Sequence, residues 1–267
     1  MSNVNLLSTD QQLRLIGKSQ ENLLSKLANG KRIQSAADDA ANLQIANRLT
    51  SSVNGVTQGY RNSQDGMSLA RVADQALQGI GDSMQQLQEL SVQAGNGLLN
   101  SDDRQALQTQ ANAITDSIRQ QIGQAEFGGV PLFAGDGQIP VATGQGSVFI
   151  KTSDLEQRLD DQGALVVDFS DSGKAEASLS ALQQAQKLID DERTGIGATI
   201  NRLDATARQL NNRSINEQVA LSQLQDLDYA KASSERTAGQ VREQAANSIA
   251  VQARINSAQA SKLLGFG

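Results

Sequence analysis

Apolar side chains in the first half of the chain recur at a helical spacing. Between Ile45 and Leu90, small or apolar residues follow one another at intervals of three and four positions. This spacing places them on one face of a helix of about six heptads, on the order of 70 Å long at a rise of ~1.5 Å per residue. The pattern predicts one long helix whose seam packs against other helices.

Two further stripes of similar period follow. A break at 95–100 precedes a second helix, for which Ser101–Asp103 supply candidate capping residues. A third stripe begins after Asp171–Gly173 and carries apolar residues at helical spacing from Leu179 to Leu210. Because three such stripes can bury one another, they predict a bundle of antiparallel helices.

The region 128–171 differs in composition from these helices. It contains clustered glycines, both prolines and two short runs rich in β-branched and aromatic residues, Ser147–Lys151 and Ala164–Phe169. Glycine and proline mark turns, and such runs favour strands. The region is therefore expected to form a β-hairpin element with loops.

Both ends of the chain carry narrower apolar stripes. Each is interrupted by Gly17 or by small residues, so a terminal helix of this kind is marginal in water by itself and needs burial against other chains. The candidate seam consists of Leu6, Leu13, Ile16, Leu23 and Leu27 at the N-terminus and Val241, Ile249, Ile255, Leu263 and Leu264 at the C-terminus.

The fold class expected from these patterns is mainly α. It is an elongated bundle of long antiparallel helices with a small β-hairpin. From periodicity alone, an intramolecular bundle is a better explanation of the central heptad positions than a filament interface is, so the pattern indicates an elongated helical interaction protein and goes no further.

Composition excludes several functional classes. The chain has no Cys and no His, which removes thiolate ligands, disulfides and the commonest general base. Its net charge is −6, and no basic stripe with interleaved aromatics is present, so nucleic acid is not expected as a partner. No window approaches the roughly 18 apolar residues of a membrane span, and the first ten residues lack the features of a secretory signal. We expect no membrane partner and no use of the general secretory route.

The sequence contains no convincing catalytic or ligand motif. The glycines around Gly135 match no phosphate-binding pattern, and the acidic pairs such as Asp38-Asp39 lack the spacing of a calcium loop. These pairs are expected to be solvated or to cap helices. We therefore expect no catalytic residues, no metal site, no cofactor and no enzymatic activity.

Several segments resemble the signatures of one family, the bacterial flagellins. Leu27–Leu49 closely resembles the family's N-terminal signature, the match resumes near the other end with Gln244–Ala253, and together the matching segments cover about two thirds of the chain in the family's order. The other matching segments are Gln64–Ala70, Leu87–Ala94, Gly123–Val130, Gln225–Ala230, Gln259 and Leu263-Leu264.

The resemblance implies both an architecture and a function. Residues 1–40 and 221–267 would form a discontinuous terminal domain for polymerisation, with its helices paired as a coiled coil in the filament core. Residues 41–220 would form a helical rod domain carrying the β-element at about 128–171. The protein would be a structural subunit of the flagellar filament, exported unfolded and self-assembling into a helical propeller for swimming motility.

The resemblance also implies partners and a location. The main partner would be the protein itself, as a homopolymer in the extracellular filament. Further partners would be the flagellar type III export apparatus, a flagellin chaperone, the filament cap and the hook–filament junction proteins. The alternative within the same superfamily is the hook–filament junction protein itself, and the quality of the Ser35–Arg48 and Asp226–Ala230 motifs favours flagellin.

An alternative from another class is a peptidase, because some flagellins resemble metallopeptidases through an inserted zinc-binding domain. Such a domain needs a His-containing ligand set, and this chain has no His. The sequence therefore argues against this interpretation.

The resemblance also implies the positions of a patch that a vertebrate innate immune receptor recognises on stimulatory flagellins. Aligned on Glu89-Leu90 and on Gly123–Val130, the patch positions hold Gln86, Leu90 and Gln110. An Arg and a Glu common at the first and last positions are thus replaced by glutamines, while the apolar member remains.

We expect weak recognition by this receptor. Losing an Arg interface anchor commonly costs about 2 kcal/mol, roughly a thirtyfold loss of affinity. Gln86→Arg combined with Gln110→Glu should restore part of the affinity, measured as the dissociation constant for the purified receptor ectodomain. No gain over the parent chain would show that the patch is assigned to the wrong residues.

Overall fold

The computed structural model describes residues 2–144, 146–263 and 265, with the side chains of residues 2–10, 257 and 260–263 left aside. The described chain is mainly helical, which confirms the expected fold class. Its helices are α1 Ser2–Asn29, α2 Ala36–Ala94, α3 Ser101–Gln124, α4 Leu155–Asp161, α5 Ser172–Gln225 and α6 Tyr229–Leu263. Its strands are β1 Glu126–Phe127, β2 Val130–Pro131, β3 Ala134–Ala142 and β4 Ser147–Asp154.

The chain divides into two compact units. The terminal unit comprises Met1–Val53 and Ile215–Gly267, and the central unit comprises Asn54–Ser214. The domain limits expected from the sequence, at residues 40 and 221, stay a prediction. Within the described residues, no helix combines the length and apolar character needed to cross a lipid bilayer.

The core of the central unit is built from the three predicted stripes. Leu77, Ile80, Met84 and Leu87 of α2 are fully buried, as are Ile118 of α3 and Leu182 and Ile189 of α5. Each fully buried side chain of this size contributes about 1.5–3 kcal/mol relative to an exposed one. The seam predicted on the first long helix is confirmed from Val56 to Leu90, where Tyr60 is half-buried and every other seam residue is buried.

Helix α3, the second helix predicted from the sequence, begins at Ser101 as predicted, and its N-cap is Asn100, one residue before the predicted candidates. Asn100 accepts a hydrogen bond from the Asp103 N–H at 2.8 Å, and the Asp103 carboxylate accepts one from the Asn100 N–H. This reciprocal arrangement is a capping box, which satisfies two donors at the helix start. The acidic residue thus caps the helix, as expected for these pairs.

The β-element contains two antiparallel hairpins. Strands β1 and β2 are joined by Gly128 and Gly129, whose φ angles of 59° and 80° only glycine adopts readily. Strands β3 and β4 pair from Gly137–Thr152 to Ala142–Ser147, with an irregularity between Ala134 and Gly137. The run Ser147–Lys151 lies in β4, as predicted.

The prediction of a second strand at Ala164–Phe169 is wrong. This segment is not a strand in the structure, and the partner of β4 is β3, which the clustered glycines and Pro140 made resemble a loop. The short helix α4 was also not anticipated. It begins after Asp154, whose carboxylate accepts a hydrogen bond from the Gln157 N–H at 3.1 Å.

Helix side chains replace a strand partner for Ala164–Phe169. Gln108 of α3 donates to the Val167 carbonyl at 2.9 Å and accepts from the Phe169 N–H at 2.7 Å, and Arg119 donates to the Leu165 carbonyl at 3.3 Å. Leu165, Val167 and Phe169 are buried while Val166 is 68 % exposed. Buried and exposed side chains therefore alternate as they do in a strand, but no neighbouring strand pairs with the segment. Side chains of α3 satisfy its backbone groups instead.

The turn between β3 and β4 packs on glycines of α2. A β-carbon placed on Gly59 would lie 2.2 Å from the Thr143 carbonyl oxygen, closer than any real contact. Asn62 donates to the Ala142 carbonyl at 2.8 Å from the next turn of the same helix. The hairpin therefore docks backbone to backbone at a position where only glycine fits.

Gly59→Ala should destabilise the central unit by about 1–3 kcal/mol, because the Thr143 backbone would have to shift. Gly55→Ala is the matched control in the same helix, since a β-carbon there meets open space. It should raise stability by about 0.5–1 kcal/mol through helix propensity. Denaturant unfolding followed by circular dichroism measures both changes, and equal stabilities for the two variants would contradict the docking.

Candidate functional site

The end of α1 and the start of α6 meet in a corner, which we define as residues 30–38 together with 224–228. Lys31 forms an antiparallel bridge with Asp226. The Arg32 N–H donates to the Gln225 carbonyl at 2.7 Å, and the Leu227 N–H donates to the Gly30 carbonyl at 3.0 Å. Main-chain hydrogen bonds thus join two segments almost two hundred positions apart in sequence.

Asp38 connects α1 to α2 within this corner. Its carboxylate accepts hydrogen bonds from the N–H groups of Gln34 and Ser35, each at 3.1 Å, and lies 2.7 Å from the Lys26 ammonium. The bond with Lys26 and the two backbone donors hold the pKa of Asp38 well below its usual range. The ionised form is therefore the one that the corner stabilises.

Asp39 caps the continuous part of α2. Its backbone is extended, with φ −166°, and its carboxylate accepts from the Asn42 N–H at 3.0 Å and from the Asn42 amide at 2.6 Å. These bonds lower the pKa of Asp39. Adjacent aspartates thus do different work, since Asp38 closes the corner and Asp39 starts the helix.

Arg32 and Ile33 complete the corner. The Arg32 guanidinium donates to the Leu224 carbonyl at 2.9 Å, satisfying an acceptor near the end of α5. Ile33 is only 3 % exposed, a rare buried large side chain in the terminal unit. Sequence reasoning did not assign these roles, although the Asp pair suggested capping.

Helices α1 and α6 run antiparallel, and the side chains on their facing sides differ in size. On α1, positions of the helical seam are half-buried: Leu13, Ile16, Gln20, Leu23 and Leu27. On α6, small residues and two charged ones repeat at intervals of four and three: Ala232, Arg236, Gly239, Glu243, Ala246, Ala250 and Ala253. We call this second set the small-residue track of α6. Large side chains of one helix therefore pack on a track of mostly small ones.

Gly239 of α6 lies directly against the Gln20 side chain of α1. A β-carbon there would lie 1.5 Å from the Gln20 amide nitrogen, and Gly239 itself is buried. Small residues at a helix contact allow the backbones to come close together. The pairing of α1 with α6 thus uses the small-residue track, with its two charged members, and not the large apolar residues of α6.

The large apolar residues of α6 instead lie on its outward side. Val241 is 60 % exposed, Ile249 64 %, Val251 57 % and Ile255 46 %, and α1 adds Leu15 at 69 % and Leu24 at 48 %. These six residues we call the outward apolar set. Exposed apolar residues of this size are candidates for contact with another chain.

The predicted seam residues therefore divide into two groups. Leu13, Ile16, Leu23 and Leu27 lie on the side of α1 that packs on α6, while Val241, Ile249 and Ile255 lie outward on α6. The side chains of Leu6 and Leu263, and all of Leu264, lie outside the described residues. The role of each as a polymerisation residue stays a prediction.

The predicted receptor patch lies in the central unit. Gln86 on α2 and Gln110 on α3 are exposed, whereas Leu90 is 8 % exposed and belongs to the hydrophobic core. The glutamines are accessible to a partner, and Leu90 offers a partner only a small surface.

Two family models match the chain. The model of the bacterial flagellin N-terminal helical region matches residues 1–138, and that of the C-terminal helical region matches residues 179–264. The chain belongs to the bacterial flagellin family. This flagellin is a structural subunit of the flagellar filament, a homopolymer that lies outside the cell.

Individual relatives agree with the family models. This flagellin is 30 % identical to the flagellar filament 33 kDa core protein of Treponema phagedenis over 86 % of its own length and 87 % of that protein. Its structure is similar to that of Bacillus cereus flagellin, with a TM-score of 0.51 and 28 % identity over 56 % of this chain and 88 % of the other.

The junction-protein alternative is not favoured. A putative flagellar hook-associated protein of Vibrio parahaemolyticus has a TM-score of 0.62 over 71 % of this flagellin and all of that chain. The two are only 16 % identical, so the likeness shows a shared fold alone. The filament assignment rests on the family models and on the filament core proteins.

The corner should loosen in acid. Because the pKa of Asp38 is lowered in the folded state, its contribution is complete above the ordinary Asp pKa of 3.8 and is lost as the pH falls below that value. Hydrogen exchange should show the Gln34 and Ser35 amides losing protection in that range.

Asp38→Asn should remove the same protection at neutral pH, because the charge that binds Lys26 is gone. Asp82→Asn, a change of an exposed carboxylate on α2, is the control and should leave both amides protected. Equal protection of both amides above and below pH 3.8 in the parent chain would contradict the role of Asp38.

Proposed function

We propose that this flagellin polymerises through the outward apolar set of α1 and α6. The observation that carries the proposal is the division of α6 into a small-residue track on α1 and large apolar residues on the outside. A free subunit leaves this apolar area in water, whereas a filament removes it. Burial of one Val, Leu or Ile side chain contributes up to about 1.5–3 kcal/mol, so several partly exposed ones favour assembly strongly.

The candidate seam residues have complementary roles in this proposal. Leu13, Ile16, Leu23 and Leu27 hold α1 on α6 within one subunit. For Leu6, Leu263 and Leu264, the role in polymerisation rests on the sequence pattern alone. Val241, Ile249 and Ile255 contact other subunits. The corner supports this arrangement because it fixes where α1 ends and where α6 begins.

The proposal includes export of the chain in an unfolded state. The flagellar type III apparatus, a flagellin chaperone, the filament cap and the hook–filament junction proteins are the proposed partners on that route. Two features support it: the sequence has no Cys, so no disulfide has to form, and its helices need mainly local contacts, which form quickly.

We propose no catalytic activity for this flagellin, since its family role is structural. The lack of His and Cys supports this, because His is the commonest general base and both are the commonest zinc ligands. The proposed work of the chain is therefore mechanical and depends on contacts between copies.

Ile249→Asp should block filament growth and leave the subunit folded. Ile249 is 64 % exposed in the single chain, so a carboxylate there is solvated before assembly and is buried without a partner after it. That burial costs several kcal/mol, and the concentration needed for polymerisation should rise by about a hundredfold or more.

Asn247→Asp is the matched control, because it adds the same charge two residues away at an exposed polar position. Seeded growth measured by sedimentation and electron microscopy, with circular dichroism of the free subunit, separates the two variants. Growth of the Ile249→Asp chain at the parent's concentration would refute the outward apolar set as the interface.

A further inference from the structure

The turn between α2 and α3 contains one of three Asn-Gly pairs in the sequence. The pairs are Asn29-Gly30, Asn54-Gly55 and Asn96-Gly97. Asn29 and Asn54 lie in α1 and α2, whereas Asn96 is exposed and lies outside any helix. The three pairs thus share one chemistry and differ in backbone environment.

The local geometry at Asn96 folds its side chain back over the next peptide. The Leu98 N–H donates to the Asn96 side-chain oxygen at 3.1 Å, which closes a turn around the nitrogen of Gly97. This bond also polarises the side-chain carbonyl, which makes its carbon, Cγ, more electrophilic.

The nitrogen of Gly97 is unusually accessible. Among the described residues, its N–H donates no hydrogen bond, although the neighbouring Gly95, Asn96 and Leu99 N–H groups all do. Gly97 has no side chain to shield the nitrogen, and even an added β-carbon would meet no atom within 4 Å outside the two neighbouring residues of the chain. The nucleophile and the electrophile are therefore adjacent and uncovered.

We propose that Asn96 is a site of spontaneous deamidation, a modification that needs only water. The Gly97 nitrogen loses its proton and attacks Cγ of Asn96, so a nitrogen–Cγ bond forms and the Cγ–Nδ2 bond breaks. Nδ2 leaves as ammonia with the proton that the Gly97 nitrogen lost. The resulting five-membered succinimide adds water at either carbonyl and opens to aspartate or isoaspartate.

The surroundings of the turn accept the new carboxylate. The Arg104 guanidinium donates to the Asn96 backbone carbonyl at 2.9 Å and to the Ala94 carbonyl, so a cation already lies beside the modified residue. The negative charge also falls a few residues before the start of α3, where a helix favours anions. The product should keep its fold and carry one more negative charge than the parent value of −6.

The two other pairs are protected by helical structure. At Gly55, inside α2, the N–H belongs to the helical hydrogen-bond ladder, so its nitrogen is not free to attack. Asn54 lies inside α2, where a helical ψ near −42° turns the side-chain carbonyl away from the next nitrogen, and Asn29 is the last residue of α1. These sites are internal controls within the same chain.

The test is ageing of the native full-length chain in mildly alkaline buffer, followed by peptide mapping by mass spectrometry and by isoaspartate-specific enzymatic methylation. Conversion at Asn96 should exceed that at Asn54 by about tenfold or more, the rate ratio of a barrier difference of about 1.4 kcal/mol. In strong denaturant the three Asn-Gly sites should convert at similar rates, because only the folded structure distinguishes them.

Gly97→Ala is the sharpest variant, since its β-carbon screens the nitrogen and fits the open turn without strain. This substitution should abolish the faster conversion of Asn96 relative to Asn54 and leave helical circular dichroism unchanged. Conversion at Asn96 no faster than at Asn54 in the native chain would overturn the proposal, and so would an unchanged rate in the Gly97→Ala chain.

Discussion

The packing of α1 on α6 is the constraint on which the terminal unit depends. Large side chains of α1 pack on the small-residue track of α6, and Gly239 leaves room for Gln20. A helix buries only one side against one neighbour, so a track made of small residues forces the large ones outward. One arrangement thus gives both the intramolecular pairing and the apolar surface that other subunits can cover.

The corner makes this pairing specific. Two helices with a narrow contact could slide along each other, because a track of small residues defines register weakly. Main-chain hydrogen bonds of Arg32 and Leu227 and the Lys26–Asp38 ion pair fix one end of the pair. The family's N-terminal signature, Leu27–Leu49, therefore lies where hydrogen bonds and an ion pair, more than apolar burial, determine the position of the helices.

How much the sequence predicted depended on whether the signal was local. The seam from Val56 to Leu90 was predictable because helical period and burial coincide in one segment. Strand β3 was missed because glycines and Pro140 hide its propensity, and Ala164–Phe169 was misassigned because Gln108 and Arg119 of a different element satisfy its backbone. At the candidate site, the large residues were identified, but Ala and Gly carry little hydrophobic signal, so the small-residue track of α6 was not.

The two sides of α6 are also under different constraints, one on the folding of a single subunit and the other on contacts between copies. A substitution on the small-residue track changes whether one subunit holds its own helices together, and Gly239 has no smaller replacement. A substitution at Val251 changes little until many copies meet, because this side chain is 57 % exposed in the single chain. Under the proposed interface, a mutational scan that scores folded, soluble protein would therefore register one side of this helix, and a scan that scores swimming would register both.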